Sequence, residues 1–439
     1  MPSQNNNYSS KKKSETKARV EEIAETLLSL LPKGEEVNLD TIENTLTPIL
    51  NAIRKRATER HFEEQESSEY HCPVCRQKTR YKYQRTRKII GLTEYEINRR
   101  VFHCQQCKAY YYPLDERLGL TGRFSFEVRK AALLLGQRIP FQEASDYLCR
   151  LLGVNVSDQS ILTLVESVGE KVHLEDLRLV RKTLNKEGFV KLETNDAPSK
   201  EGVAYLQMDG MMVQTREDGW KEIRNGILFS EDQRIEVDKH HHWIQNKTCF
   251  SVFNRHKNSL EAFKRRATTE SCRFGFERYE KSVIIGDGAK WIWDYADTYH
   301  PNAIQILDYY HASEYLGKAL SSINAAKREK MKLFKKLDAG EVIRIIEYLK
   351  KQTKTKEVVD CKRYFTNHQN RMNYAEYVKQ GLAIGSGAIE STHRTLIQSR
   401  MKQAGMHWKK KNVQSIASVK ARYESGRWDE MVNKHLKAA

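Results

Sequence analysis

Apolar positions along this chain follow two periods. From Val20 onward, Ile23, Ala24, Leu27, Leu28 and Leu31 recur at helical spacing until Pro32, and Ile42, Leu46, Ile49, Leu50 and Ile53 repeat the pattern. Residues 17–67 are therefore predicted to form a helical hairpin. The polar, basic residues 1–16 before it read as a flexible tail. Phe141, Ala144, Leu148 and Leu152 predict another helix. "GVNV" turns the chain, and Ser157 can cap a second helix that carries Ile161, Leu164, Val165 and Val168 before Gly169. Two short helices across such a turn resemble a helix-turn-helix within residues 121–170. Residues 171–200 are charged and helix-prone, and end in the linker "DAPSKEG".

From residue 201 the period becomes that of strands. Val203–Met208 leads into Asp209, "GWKEIRNGILFS" and "NKTCFSVFNR" predict two more strands, Val283–Ile285 leads into Asp287, and Ala303–Leu307 leads into Asp308. Helices are expected over Ser259–Ala267 and Trp291–Ala296. Three strands, a helix, a strand, a helix and a strand make a mixed α/β sheet whose carboxyl edge would collect the three aspartates. An isolated Asp-Gly is usually a turn. Three aspartates, each after an apolar run, are better explained as a site.

Composition adds a constraint. The 439 residues carry a formal net charge of +18, and a surface rich in Lys and Arg attracts polyanions, above all nucleic acid. No apolar run approaches the roughly 20 residues of a membrane span, and "MPSQNNNYSSKKK" lacks the apolar core of a signal peptide. A cytoplasmic, nucleoid-associated protein is expected. Acids crowded on one rim of such a protein repel, and a divalent cation relieves that repulsion. Two Mg²⁺ ions, or Mn²⁺ in their place, suit carboxylates that serve phosphoryl transfer.

The cysteines are paired. "CPVC", Cys72–Cys75, and "CQQC", Cys104–Cys107, are separated by 28 residues. Two such turns supply the four corners of one structural Zn²⁺ site, a zinc ribbon within residues 68–120. His71 and His103 flank the knuckles, but four thiolates already complete a site. Between the knuckles stand nine Lys or Arg against two Glu, and "KTRYKYQR" alternates Lys78, Arg80 and Lys82 with Thr79, Tyr81 and Tyr83. At strand spacing this gives one basic face for DNA. The triplet His240–His242 reads as a surface strand, since consecutive positions face opposite ways.

A fourth acid comes late. "GLAIGSGAIESTHRTLIQSRMKQAG" predicts a helix with Ile389, Leu396, Ile397 and Ala404 on its apolar side and a stop at Gly405. Glu390 lies in its first turn. His393 and Arg394 come after it at helical spacing, where they would hold a phosphate beside it. From Ser391 onward eleven Lys or Arg oppose three acids. Arg400, Lys402, Lys409, Lys410 and Lys411 are read as contacts to the DNA backbone.

The succession "MDG", "GDGAKWIW", "LDYYHASE" and "GSGAIES", with the paired CxxC segment, "YPLDERLGL" and "SGRWDE", resembles bacterial insertion-sequence DDE transposases of the ISKra type, relatives of Mutator-like elements, over roughly residues 68–430. The resemblance implies a multidomain α+β chain. Its N-terminal helices, zinc ribbon and helix-turn-helix-like helices precede an RNase H-like core in residues 201–311, a helical insertion in 312–384, and the glutamate helix with a basic segment in 385–439. It implies Asp209, Asp287 and Glu390 as the catalytic, metal-binding acids, and Asp308 and His311 as a supporting D-x-x-H element. The expected activity is hydrolysis at element ends followed by attack of the freed 3′-hydroxyl on target DNA. The expected partners are double-stranded DNA and further copies of the chain, a homodimer or larger, with no membrane and no small-molecule substrate. Two other readings remain open: a zinc-dependent DNA-binding regulator, and an RNase H-like nuclease without strand transfer.

Overall fold

The computed structural model describes residues 19–31, 38–120, 122–191, 198–238, 241–255 and 257–437. The sequence-predicted tail 1–16, Pro32, the start of the linker and His240 lie outside them. Two compact units are present, one built from residues up to 129 with 149–154, the other from 130–148 with 155–437. No helix among the described residues is long and apolar enough to cross a membrane.

In the first unit, α1 (19–28) and α2 (Leu39–Glu64) are the two predicted helices. Asn38 caps α2, its side chain accepting from the Thr41 amide. The ribbon comes next as β1 (Arg80–Ile90), β2 (Glu94–His103) and β3 (Tyr110–Tyr111), antiparallel in that order, then α3 (Pro113–Arg117). Ile89, Ile97 and Leu114 form a small core cluster with Phe62, Tyr95, Leu118 and Leu120 around them, and Ile90, Val101 and Phe102 are buried as well. Asp115 joins it to the strands, pairing with Arg87 at 2.6 Å and also with Arg99. A bulge between Tyr81 and Tyr83 interrupts the pairing of β1 with β2. A bulge puts two residues opposite one. The expected alternation of Arg80 and Lys82 along one continuous face is therefore broken at Lys82.

Next come α4 (Phe126–Gly136), α5 (Phe141–Leu152) and α6 (Asp158–Thr183). α5 has the predicted bounds, and Ser157 caps α6 by accepting from the Ser160 amide. The pair is not a helix-turn-helix of two short helices, because α6 runs straight through Gly169 for 26 residues. That glycine is a crossing point: a Cβ there would meet the Ser415 carbonyl oxygen at 2.1 Å. Ile161, Val165, Val168 and Val172 are buried on the same helix.

The second unit is organised by a sheet of five strands: β4 (Lys200–Thr215), β5 (Gly219–Ser230), β8 (Thr248–Phe253), β9 (Tyr279–Gly286) and β10 (Ile304–Leu307), in the order β10-β9-β4-β5-β8. β4, β5 and β8 are antiparallel neighbours, whereas β4, β9 and β10 run parallel. Tyr205, Leu206, Val283, Ile284, Ile285, Ile306 and Leu307 are completely buried. Strands covered on both faces read as unbroken apolar runs, which is why the sequence located them. A separate hairpin, β6 (Arg234–Asp238) with β7 (His241–Ile244), leaves the sheet between β5 and β8. The helices α7 (Ser259–Phe274) and α8 (Lys290–Tyr299) connect the strands.

After β10 come α9 (Tyr309–Ser322), α10 (Lys327–Asp338), α11 (Val342–Lys350), α12 (Lys356–His368) and α13 (Tyr374–Lys379). They pack back on the sheet: the Tyr374 hydroxyl donates to the Leu307 carbonyl at 3.1 Å. α14 (Gly387–His393) continues as a π-helical turn, Arg394–Gln398, and ends in α15 (Ser399–Met401). The long helix predicted there is thus one continuous run with a π-helical turn in its middle, and it ends at Met401, short of the predicted stop at Gly405. α16 (Lys410–Glu424) is buried along most of its length, with the Gln414 side chain accepting from the Phe253 amide of β8 at 2.8 Å, and α17 (Trp428–His435) closes the unit.

Candidate active site and metal centre

The register of the parallel strands decides where the acids stand. Gln207 pairs with Ile285 and Gly286 with Leu307. Two residues past the first pair come Asp209 and Asp287, and one past Leu307 comes Asp308. Three neighbouring strands thus present an aspartate at one level. Asp209 is not at a strand end, as the sequence suggested, because β4 continues to Thr215 against β5. It lies where the parallel partner β9 stops.

Glu390 is carried to this level by α14, and one residue does most of the positioning. The buried Gln207 side chain donates to the Gly385 carbonyl at 3.2 Å and accepts from the Ile389 amide at 2.9 Å. Asp308, completely buried, adds a second tie. Its Oδ1 accepts from the Ser386 amide at 2.8 Å, and its Oδ2 accepts from the His311 amide at 3.0 Å and meets His311 Nδ1 at 2.5 Å. Both carboxylate oxygens are engaged, and Asp308 caps α9 in the same act.

Electrostatics report the crowding. Burial, and after it the Asp287 and Glu390 carboxylates, pushes the Asp209 carboxyl up to about 6. The hydrogen bond to Asp308 raises His311 to about 9 against the effect of burial, with Asp287 and Glu390 adding their charge. His311 is therefore an imidazolium at neutral pH. Ligand atoms of Asp308, His311 and Glu390 lie within 4.8 Å of one another, so these three can hold a metal only when His311 gives up its proton. Asp209, Asp287 and Glu390 are not drawn together that closely. Their hard oxygens and mutual repulsion nevertheless fit a small divalent cation.

His393 does not stand beside Glu390 to meet a phosphate. It is buried, with Nδ1 facing Asp209 Oδ2 at 3.5 Å, and burial holds its imidazole down to about 4, hence neutral. Arg394 is exposed.

The cysteines form a second centre. Cys72 and Cys107 sulfurs are 3.8 Å apart, those of Cys75 and Cys104 are 3.5 Å apart, and all four lie within 4.8 Å of one another. The edge of a tetrahedron with 2.3 Å metal–sulfur bonds is about 3.8 Å, so the set fits one such ion. Each knuckle closes alike, with Arg76 (φ 59°) and Lys108 (φ 54°) in the left-handed region after the second cysteine. Against the penalty of burial, the Cys75 and Val74 amides and the Tyr111 hydroxyl draw the Cys72 thiol down to about 6.

Residues 35–435 match the Uncharacterised protein family (UPF0236). The chain belongs to that family. No curated protein matches it.

In this UPF0236 member the C-terminal cations are not the continuous positive surface that the sequence suggested. Arg400 is buried, with its guanidinium 4.3 Å from the Phe141 ring and 4.8 Å from the Trp408 ring, and so is not a surface phosphate contact. Lys420 and Arg422 are buried too, Arg422 paired with Asp176. Lys410 pairs with Asp218, Lys411 with Glu166 at 3.5 Å, and Lys434 with Glu175. Lys402 and Lys409 are exposed, as are Lys78, Arg80 and Lys82 on the ribbon, with Lys78 held by Glu69 at 2.5 Å.

Two residues packed at the candidate site escaped sequence reading. Gln207 had a visible signal, a lone amide inside the apolar run "YLQMD". Tyr364 of α12 had none. It is brought by the insertion against Gly288, the residue after Asp287, and its buried hydroxyl has no partner among the described residues.

Proposed function

We propose that this protein is a DNA transposase with an RNase H-like catalytic core, which cleaves the ends of its own element and joins the freed 3′-hydroxyl to target DNA. The observation that carries the proposal is the level register of Asp209, Asp287 and Asp308 across three parallel strands, with Glu390 delivered to that level by a helix tied to Gln207 and Asp308. Three antiparallel and two further parallel strands, with the last acid on a helix after a helical insertion, support an RNase H-like reading.

Asp209, Asp287 and Glu390 would hold two Mg²⁺ ions, which supply activation of the attacking oxygen and stabilisation of the leaving one. Asp308 orders the loop that presents Glu390 and keeps His311 protonated. That imidazolium sets a positive charge among the acids. Neutral His393 orients Asp209 from the side of α14. Arg394, Lys402 and Lys409, with Lys410 and Lys411 at the edge of α16, would meet phosphates, and Lys78, Arg80 and Lys82 would do so from the ribbon. One Zn²⁺ on Cys72, Cys75, Cys104 and Cys107 would fix that ribbon, whose small core gains a staple from it.

The test is Mg²⁺-dependent nicking of labelled element-end DNA beside a gel shift on the same DNA. Glu390→Gln is expected to abolish nicking and keep the shift. Nicking at the normal rate by that variant would remove Glu390 from the site, and absence of any nicking by the native protein would leave the regulator reading. A strand-transfer assay separates transposase from nuclease.

A further inference from the structure

On the side of α14 away from the acids, a groove of about 930 Å³ opens. Ala388, Ser391 and Thr395, spaced three and four apart, give it one wall, while Glu390 and His393 do not line it. Two large aromatic residues project into this space from different elements. Trp243 on β7 is 57 % exposed and Tyr310, at the start of α9, is 66 % exposed. Tyr310 lies close over Gly385, where a Cβ would stand 2.7 Å from its Cε2, so the ring is held in place by backbone and presents its remaining surface outward. Cations line the same groove. Lys247 reaches the groove with its ammonium 2.9 Å from the Thr392 hydroxyl, and the Arg138 guanidinium lies 4.7 Å from the Tyr423 ring. Arg234 also lines it, paired with Glu231 at 2.6 Å, and Glu424 is the carboxylate on the lining.

We infer that this groove binds an unpaired stretch of nucleic-acid strand, with bases stacked on Trp243 and Tyr310 and phosphates beside Lys247 and Arg138. Exposed aromatic faces alternating with cations in a channel form the footprint of single-strand binding. A duplex keeps its base faces stacked inside, and those faces reach an aromatic platform only when the strand is opened. Gln207 and Gly385 belong to the groove lining and to the ties that position Glu390. The groove and the acidic centre therefore share one positioning element, and a strand held in the groove would lie on the opposite side of α14 from the phosphate to be cut. This assignment rests on the phosphoryl-transfer reading for its biological role, while the binding itself can be tested apart from it.

The probe is a single-stranded oligothymidylate of about 12 nucleotides with one central 2-aminopurine, titrated with the full-length protein without added magnesium. Binding is expected to quench the 2-aminopurine. Trp243→Ala and Tyr310→Ala should each weaken the oligonucleotide about tenfold, with loss of quenching, while binding of a blunt duplex of equal length changes less than about twofold. Trp243→Phe should keep most of the affinity, which separates stacking from damage to the hairpin. Unchanged oligonucleotide affinity in both alanine variants would overturn the proposal, as would an equal loss on duplex, or displacement of the probe by polyglutamate as readily as by unlabelled oligothymidylate. If the native protein nicks no DNA with Mg²⁺ yet shows the stacking losses, the transposase reading falls and the groove stands. If nicking is robust and the variants bind the probe normally, the groove falls and the transposase reading stands.

Discussion

Gly288 lies so close beneath Tyr364 that a Cβ added to it would stand 2.1 Å from that ring's Cε2. The ring cannot swing away, because it stacks face to face on Tyr315 with centroids 4.1 Å apart. Asp287 is the preceding residue, and its Oδ1 accepts from the Ala289 amide at 2.9 Å to close the turn. Gly288→Ala should cost about 1–3 kcal/mol of stability and shift the Asp287 carboxylate, lowering nicking about 100-fold with DNA affinity kept. Adding Tyr364→Ala should recover part of both losses. A double variant no better than Gly288→Ala would show that the clash is not the cause.

Asp308→Asn should lower stability by roughly 2–3 kcal/mol, because an amide cannot accept from Ser386 and from His311 with both atoms. Glu390→Gln, at an exposed position, should stay within about 0.5 kcal/mol of the native protein. Chemical denaturation of the two variants side by side checks this. Equal stabilities would mean that Asp308 does not order the loop.

Cys104→Ser should release the metal from the ribbon. Native protein is expected to carry about one zinc per chain by elemental analysis, and the variant to carry none and to show earlier proteolysis within residues 68–120. Native protein without zinc would exclude the centre.

Lys420 predicts a pH dependence. Its ammonium is buried 3.4 Å from the Gln137 carbonyl, and burial, with Arg138 and Arg400 nearby, pulls it from 10.5 down to about 8. Between about pH 8 and 10.5 the unfolded chain holds a proton that the native chain lacks. The contribution of Lys420 should therefore rise with pH across that window, against the loss that His311 brings up to about pH 9, and the full cost of Lys420 is present below the window. Lys420→Met should stabilise the protein at pH 7 by up to about 3 kcal/mol and flatten the rise, as read from denaturation midpoints at pH 7 and 10.

Much of the sheet was legible in the sequence, because strands buried on both faces announce themselves as apolar runs ending in Asp209, Asp287 and Asp308. Composition misled at the C-terminus. Counting Lys and Arg after Ser391 gives no sign that Arg422 finds Asp176 or that Lys434 finds Glu175, partners 246 and 259 positions away. Gly169 looked like a helix stop because glycine most often marks an end, whereas here it makes room for the backbone of Ser415. The π-helical turn after His393 left no mark in the spacing of Leu396 and Ile397, since both are buried either way.

The tie between Gln207 and the 385–389 loop also has a temporal side. A ribosome delivers Asp209, Asp287 and Asp308 well before Glu390, and the loop that presents Glu390 can dock on β4 only after the whole helical insertion has emerged. Until then the site holds its three aspartates without Glu390. Under the proposed function, a nascent or truncated chain would be unable to cut, so the activity is withheld from every fragment that stops before Glu390.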